Sequence, residues 1–268
     1  MFYDMLEQTH YAYKSKNGVA IVCPNTPVWL KLAQGTSAHA RLFFRDFLDG
    51  YVNREQLVGI VAEKNVATAC AKVYAQENSI TFAQKELIAY FLPQGVEMGL
   101  NDSGLNALGK GELRPATASE MPLVSEWISA FYSETLAAAQ PLFENGTAAF
   151  HQLHESIPQS QVPPKQQETH SNPLARLFIW WDSLPVAMGM LTGAGKTCRI
   201  NLVYVPPNLR GRCYGKALVS SLAGKAREAA QIPVLYTNGD NITAIQLYTS
   251  LNFCEAGRLA EFRFLGTV

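Results

Sequence analysis

The sequence predicts a mixed α/β fold, in which a C-terminal domain built on a mixed sheet follows a smaller N-terminal α/β domain. Three observations support this. Between Arg176 and Val205, three apolar segments are separated by short turns, the pattern of an antiparallel meander. A segment with helical periodicity follows at about Arg212–Ala230. A strand, a helix and a last strand then follow, and such mixtures build helices on a sheet.

Composition indicates a cytoplasmic globular protein of one large or two ordinary domains. The 268 residues are 48% hydrophobic, which is enough to form a core. Lys+Arg and Asp+Glu both count 22, which argues against a general nucleic-acid binder, since that function needs a basic face. There is no apolar run long enough for a membrane helix, and the N-terminus does not read as a signal peptide. The five scattered cysteines indicate a reduced compartment, and we expect no metal site.

Two segments interrupt the periodic patterns. Gly99–Gly111 is rich in Gly and Asn, and we place a domain boundary there, between residues 1–110 and 111–268. Pro158–Pro173 holds four prolines among polar residues. We interpret it as a surface loop inside the C-terminal domain, either disordered or a lid over a substrate.

The N-terminal domain carries no motif with a chemical function. Gly18–Cys23 and Pro27–Leu32 are typical of strands, whereas Ala38–Leu48 and Phe82–Phe91 are typical of helices. These patterns predict a small α/β domain. Its role stays open between a diverged half of the C-terminal fold and a domain that selects the substrate.

The C-terminal domain begins with a short strand and a helix. Leu113–Pro115 is the strand, and Thr117 with Glu120 forms the capping-box pattern of a helix start. The helical spacing continues through Leu123, Trp127, Ile128 and Phe131. The later strands are predicted at Arg176–Asp182, Val186–Thr192, Cys198–Val205, Val234–Thr237 and Arg258–Leu265, and a further helix at Ile242–Leu251.

A site for a pyrophosphate is predicted where the third meander strand ends. The segment Val203–Ala217 reads VYVPPNLRGRCYGKA. Two prolines stop the strand, and a loop with glycine and arginine leads into a helix. Helix N-termini present unpaired N–H groups and partial positive charge, so they bind anions. A basic surface turn is the alternative, but the complete strand–Pro–Arg–Gly–helix order favours phosphate binding.

A second motif lies in Asn238–Phe253, which reads NGDNITAIQLYTSLNF. Ala244, Leu247, Tyr248 and Leu251 recur on one helical face. From periodicity alone, Tyr248 is a core aromatic residue whose hydroxyl needs a partner if it is buried.

Together these motifs resemble the GNAT superfamily of N-acetyltransferases. That family carries Q/R-x-x-G-x-G/A at the strand-to-helix turn, where Arg210 and Gly215 match and Cys213 replaces a glycine. Its second signature, N-x-x-A-x-x-x-Y-x-x-x-G-F, matches except that Asn252 replaces a glycine. The resemblance covers Leu113 to the C-terminus. It implies that acetyl-coenzyme A binds to Val203, Tyr204, Val205, Arg210, Gly211, Arg212, Cys213, Tyr214, Gly215, Lys216, Asn241 and Tyr248.

The resemblance also implies an activity. Tyr248 would donate a proton to the departing coenzyme A thiolate, and the backbone N–H of Val205 would polarise the thioester oxygen. Many relatives use a carboxylate on the strand before the loop as base, but Cys198–Val205 holds no Asp or Glu. The base is therefore Glu134, Glu261 or a chain of water molecules, and we favour Glu134.

The expected function is transfer of an acetyl group from acetyl-coenzyme A to a primary amine of a small molecule or peptide. The alternative is a non-catalytic acyl-coenzyme A-binding or sensor protein. The departures at Cys213 and Asn252 and the missing strand carboxylate favour that alternative, whereas Tyr248 favours the enzyme. We expect one cofactor site per chain.

Overall fold

The computed structural model describes residues 11–22, 27–51, 57–99, 111–136 and 175–265. The predicted loop at Pro158–Pro173 lies outside these residues. The strands are β1 Tyr11–Ser15, β2 Gly18–Val22, β3 Val28–Leu32, β4 Gly59–Ala62, β5 Thr81–Phe91, β6 Glu112–Pro115, β7 Ala175–Asp182, β8 Leu184–Ala194, β9 Thr197–Tyr204, β10 Ile232–Asn238 and β11 Cys254–Leu265. The α-helices are α1 Ser37–Gly50, α2 Lys64–Asn78, α3 Met121–Leu136, α4 Tyr214–Glu228 and α5 Ile242–Ser250.

The chain forms two compact units, and neither is continuous in sequence. The first unit comprises Met1–Ala89, Tyr236–Ile242 and Glu255–Val268, and the second comprises Tyr90–Leu235 and Thr243–Cys254. This division differs from a single boundary at residue 110, because two late segments group with the first unit.

The first unit contains a mixed sheet in the order β1-β2-β3-β4-β11-β5. β1, β2 and β3 pair antiparallel, β3 and β4 pair parallel, and β4 pairs antiparallel with β11. The helices α1 and α2 pack into its main core through Phe43, Phe44, Phe47 and Tyr74. This unit confirms the predicted mixture of strands and helices. Its parallel strands β3 and β4 are connected through the helix α1.

One predicted helix of the first unit is wrong. Phe82–Phe91 belongs to the strand β5. The residues of this segment have good helix propensity, but β5 takes its place beside β11, and such pairing overrides the weak preference of a short segment. The strands predicted at Gly18–Cys23 and Pro27–Leu32 correspond to β2 and β3, although Cys23 itself lies outside the described residues.

The second unit holds the strand order β10-β9-β8-β7-β6. β6, β7, β8 and β9 pair antiparallel, which confirms the meander, and β9 pairs parallel with β10. Met188 on β8 packs with α3, whereas an added side chain on the next residue, Gly189, would meet Leu218 and Leu222 of α4. Since successive strand residues point to opposite faces, α3 and α4 cover opposite faces of this sheet.

The predicted capping box is present at the start of the first helix of this unit. The Thr117 N–H donates to Glu120 Oε2 at 2.8 Å, and the same carboxylate binds Arg114 at 2.7 Å. A short 3₁₀ turn, Ala118–Glu120, then leads into α3. The segment GAGKT at residues 193–197 forms the turn between β8 and β9, with Gly195 at φ 65°.

Candidate functional site

The end of β9 is distorted by a β-bulge. Met188 of β8 pairs with Tyr204, and Met190 pairs with Asn201, so two residues of β9 oppose one residue of β8. One of the two, Leu202, has φ 49°, which is unfavourable for a side-chain-bearing residue. A bulge bends and re-aims the strand that carries it. The bulge therefore sets the direction of Val203 and Tyr204 at the end of β9 and of Val205, which follows the strand.

The parallel pairing between β9 and β10 is short. It joins Thr197, Cys198 and Arg199 to Ile232, Pro233 and Val234, and no further pair follows along the described length of β9. Backbone N–H and C=O groups require partners. The last part of β9 consequently has a backbone edge, on the β10 side, with peptide groups suited to an extended ligand.

The loop after β9 brings backbone amides to the start of α4. A 3₁₀ turn, Pro207–Leu209, follows the strand, and Gly211 adopts φ 78°. The N-cap residue, Cys213, makes no side-chain capping hydrogen bond, and in the described part of the chain the first helical bond runs from Ala217 N to Cys213 O at 3.0 Å. The amides before Ala217 therefore lie outside the helical ladder, at the positive end of the helix dipole.

The two positions that depart from the family's glycines both have left-handed backbone conformations. Cys213 has φ 63° and ψ 9°, and Asn252, after α5, has φ 63°. Glycine adopts this region without strain, and Asn adopts it more readily than most residues. The structure therefore retains at both places the backbone that glycine would give, with added strain at Cys213.

An ion pair joins α3 to the loop. Arg210 Nη2 donates to Glu134 Oε1 at 2.9 Å and to Oε2 at 2.6 Å, while its Nε donates to Val205 O at 2.9 Å. The Tyr204 hydroxyl donates to Glu134 Oε1 at 3.4 Å. Burial and then the nearby Glu134 carboxylate raise the pKa of Tyr204. The structure thus brings together four predicted site residues, and two of them, Tyr204 and Arg210, are bound to the candidate base.

A second polar contact lies at the first residue of α4. The Tyr214 hydroxyl donates to Asp182 Oδ2 at 2.8 Å. That hydrogen bond and burial raise the pKa of Tyr214, whereas Arg212 acts in the opposite direction. Sequence reasoning missed Asp182, because it ends a strand 32 residues away and belongs to no motif.

Close packing links the end of β9 and the start of α4 to α5. A Cβ placed on Gly215 would lie 3.6 Å from Val205 Cγ2 and 3.8 Å from Leu247 Cδ2. The end of β9, the start of α4 and the middle of α5 therefore meet within the second unit. Tyr248 is the next residue of α5.

Tyr248 is almost completely buried, with 6% of its surface exposed. Its ring lies 6.0 Å from that of Tyr90 and 6.2 Å from that of Phe253. Burial raises its pKa to about 12. At neutral pH the phenol therefore holds its proton, as a proton donor must.

Two other candidates lie in the first unit. Asn241 precedes α5, and its backbone N–H donates to the backbone carbonyl oxygen of Asn238 at 3.0 Å. Glu261 on β11 is 5% exposed and forms ion pairs with Arg263 and, at 3.6 Å, with Lys85. Glu134 is half-exposed and contacts Arg210 and Tyr204, whereas Glu261 is buried, so Glu134 is the stronger candidate for the base.

Two classes of feature are absent from the described ranges. Their helices include none with both the length and the apolar character needed to span a bilayer. Their His, Cys, Asp and Glu side chains form no group of three or more that would hold a metal ion.

Comparison with known proteins identifies a matching family model and solved structures with a similar fold. Residues 187–262 match the model of the FR47-like protein family. A conserved protein of unknown function from Staphylococcus epidermidis has a similar structure, with a TM-score of 0.59 and 12% identity, over 100% of this chain and 98% of its own. No curated protein matches the sequence.

Two further structures are described as members of the GNAT family. A GCN5-related N-acetyltransferase from Kribbella flavida has a TM-score of 0.57 and 11% identity, over 99% of this chain and 93% of its own. A protein described as a GNAT-family acetyltransferase from Novosphingobium aromaticivorans has a TM-score of 0.52 and 16% identity, over 99% and 96% of the two chains. The chain therefore has a GNAT-like mixed α/β fold, and this likeness includes the N-terminal residues that carry no motif.

Proposed function

From the FR47-like C-terminal segment and the GNAT-like fold, we propose that the protein is an N-acetyltransferase that uses acetyl-coenzyme A and a primary amine of a small molecule or peptide. One observation carries the proposal. Pairing of β9 with β10 stops at Arg199, just before a loop that ends at a helix without a side-chain cap. An unpaired strand edge suits an extended amide-containing arm, and an uncapped helix N-terminus suits a pyrophosphate.

In the proposed complex, the amides from Arg212 to Lys216 hold the pyrophosphate, with the side chains of Arg210, Arg212 and Lys216 contributing positive charge. Val203 and Val205 pair their backbones with the pantetheine arm. The backbone N–H of Val205 donates to the thioester oxygen and stabilises the charge that develops there.

The proposed reaction is direct transfer. Glu134 accepts a proton from the substrate ammonium, and the neutral nitrogen attacks the thioester carbonyl carbon. The carbon–sulfur bond then breaks, and the thiolate takes the phenolic proton of Tyr248. The second proton of the attacking nitrogen is lost to solvent, which leaves the neutral amide, and solvent returns a proton to the Tyr248 phenolate. The support for Tyr248 is its place in the second motif, and its phenol is protonated at neutral pH, as a proton donor must be.

We propose one cofactor site per chain. The first unit has a comparable strand-to-helix junction, from β3 to α1, but Thr36 caps that helix by accepting a hydrogen bond from His39 N at 3.4 Å. A capped N-terminus has fewer free donors for an anion. A measured stoichiometry of two would contradict this proposal.

Isothermal titration with acetyl-coenzyme A tests the binding step. Wild-type protein should bind one equivalent, and Arg210→Ala should bind about tenfold more weakly, because a charged hydrogen-bond donor is lost. Cys213→Gly should bind at least as well as wild type, because the backbone conformation is kept. Absence of binding by the folded wild-type protein would refute the proposed function.

The alternative function is non-catalytic binding of an acyl-coenzyme A. It is favoured by the ion pair that occupies Glu134 and by the lack of a carboxylate on β9. Tyr248→Phe separates the two functions. For the enzyme, this change should leave binding intact but lower turnover in an amine-acceptor screen by about 100-fold or more, the usual contribution of a general acid. If the wild type binds the cofactor but acetylates no amine in the screen, the binding function stands.

A further inference from the structure

We infer that Arg210 exchanges the Glu134 carboxylate for a phosphate of the cofactor, so that binding of acetyl-coenzyme A releases Glu134 to act on the amine. The inference rests on the proposed function and adds to it the order in which the cofactor and the amine bind. The cofactor must bind before the base becomes available.

The contacts of Arg210 divide its guanidinium into a fixed part and an exchangeable part. Its Nε donates to Val205 O at 2.9 Å, which holds the group against the end of β9. Its Nη2 donates to both carboxylate oxygens of Glu134, at 2.9 and 2.6 Å. A phosphate at the start of α4 can take over the Nη2 donor while the Nε bond stays in place, because the N–H groups of arginine donate to phosphate oxygens as they do to carboxylate oxygens.

Exposure of the ion pair makes the exchange feasible. The side chains of Arg210 and Glu134 are each 47% exposed. Ion pairs in water contribute little to stability, so this one is easily replaced. A pyrophosphate carries more negative charge than one carboxylate, and the amides and dipole of α4 attract it to the same place. The two anions therefore compete for one guanidinium.

The competition matters for catalysis because it controls access to Glu134. In the structure, both carboxylate oxygens accept bonds from Arg210, so a substrate ammonium must compete with the guanidinium for them. Release of Arg210 leaves the Tyr204 hydroxyl, 3.4 Å from Oε1, as a positioning contact. An amine that arrives before the cofactor meets an occupied base, so the enzyme avoids binding its substrates in an unproductive order.

Titration of acetyl-coenzyme A into a set of full-length variants tests the exchange. Glu134→Gln removes the competing carboxylate, so acetyl-coenzyme A should bind about two- to fivefold more tightly, the range expected for an exposed ion pair. The gain should shrink as the salt concentration rises, because exposed charges are screened. In an Arg210→Ala background, Glu134→Gln should have no effect, since the two residues act through one contact.

Glu126→Gln is the matched control. Glu126 lies on the same helix and acts on Tyr204 electrostatically, so its neutralisation removes a negative charge from the same region. It should leave the affinity for acetyl-coenzyme A within error of wild type. An equal gain from Glu126→Gln, or a gain from Glu134→Gln that persists without Arg210, would overturn the exchange in favour of a general charge effect.

Two further outcomes separate this inference from the proposed function. If the wild type binds acetyl-coenzyme A and Glu134→Gln binds it equally well, the exchange is refuted and the proposed function stands. If the folded wild type binds no acetyl-coenzyme A, the proposed function fails, and the inference fails with it. Circular dichroism and thermal unfolding establish that each variant is folded before it is titrated.

Discussion

Tyr214 and Asp182 join the first residue of α4 to the last residue of β7 through a hydrogen bond of 2.8 Å. Neither of these side chains takes part in a step of the proposed acetyl transfer. It fixes the start of α4 against the turn between β7 and β8, and it therefore supports the amides that are proposed to hold the pyrophosphate.

Tyr214→Phe should lower the free energy of unfolding by about 1 kcal/mol at pH 7, because it removes a hydrogen bond to a charged group. The bond to Asp182 raises the pKa of Tyr214. A raised pKa means that the stabilisation is complete below the unfolded value, near 10, and is lost as the pH rises through the folded value. Urea unfolding at pH 7 and above pH 10 checks this. A difference between Tyr214→Phe and wild type that stays constant into alkaline solution would contradict it.

Glu120→Gln should destabilise the protein by about 1–2 kcal/mol at neutral pH. Burial alone would raise the pKa of Glu120, but hydrogen bonds from Thr117 and Arg114 outweigh it and lower that pKa. The stabilisation is therefore complete above the unfolded pKa, near 4.3, and is lost as the pH falls through the lower folded value. Denaturant unfolding from pH 7 to pH 3 should show the variant and wild type converging in acid. A gap that stays unchanged in acid would assign the loss to packing.

Cys213→Gly should be more stable than Cys213→Ala by about 1 kcal/mol. The residue has φ 63° and makes no capping hydrogen bond, so any side chain there carries the cost of the left-handed conformation. Comparison of the two variants keeps the loss of the thiol constant. Thermal and urea unfolding provide the measurement, and equal stabilities would show that the loop relaxes to a conformation that tolerates a side chain.

Gly189→Ala and Gly224→Ala should change stability in opposite directions. A Cβ on Gly189 would lie 2.7 Å from the buried Leu222 Cδ1, so this variant should lose about 1–2 kcal/mol through overpacking under α4. Gly224, within α4, has nothing within 4 Å of an added Cβ, so alanine there should add about 0.5–1 kcal/mol through helix propensity. Denaturant unfolding of both variants tests the prediction, and equal losses would contradict the placement of α4 on β8.

Strongly periodic segments and motifs could be read from the sequence. α4 and α5 lie where their apolar spacing placed them, within two residues at each end. The meander of β7, β8 and β9 was also predicted, because short turns between apolar segments leave few alternatives. By contrast, α2 was not predicted, and β5 was predicted as a helix. Neither segment has a distinctive period, so long-range packing decides its form.

The features of the candidate site also fall into those that the sequence predicts and those that only the structure shows. The sequence by itself determined the order of strand, loop and helix and the place of Tyr248 on the helix after β10, because each depends on residues close together along the chain. Tertiary structure alone decided the bulge at Leu202, the contact of Tyr214 with Asp182, and the pairing of Arg210 with Glu134 across 76 residues. Those features depend on strand register and helix placement, which follow from the burial of whole helix and sheet faces. A local sequence pattern does not show which distant residue a side chain will contact.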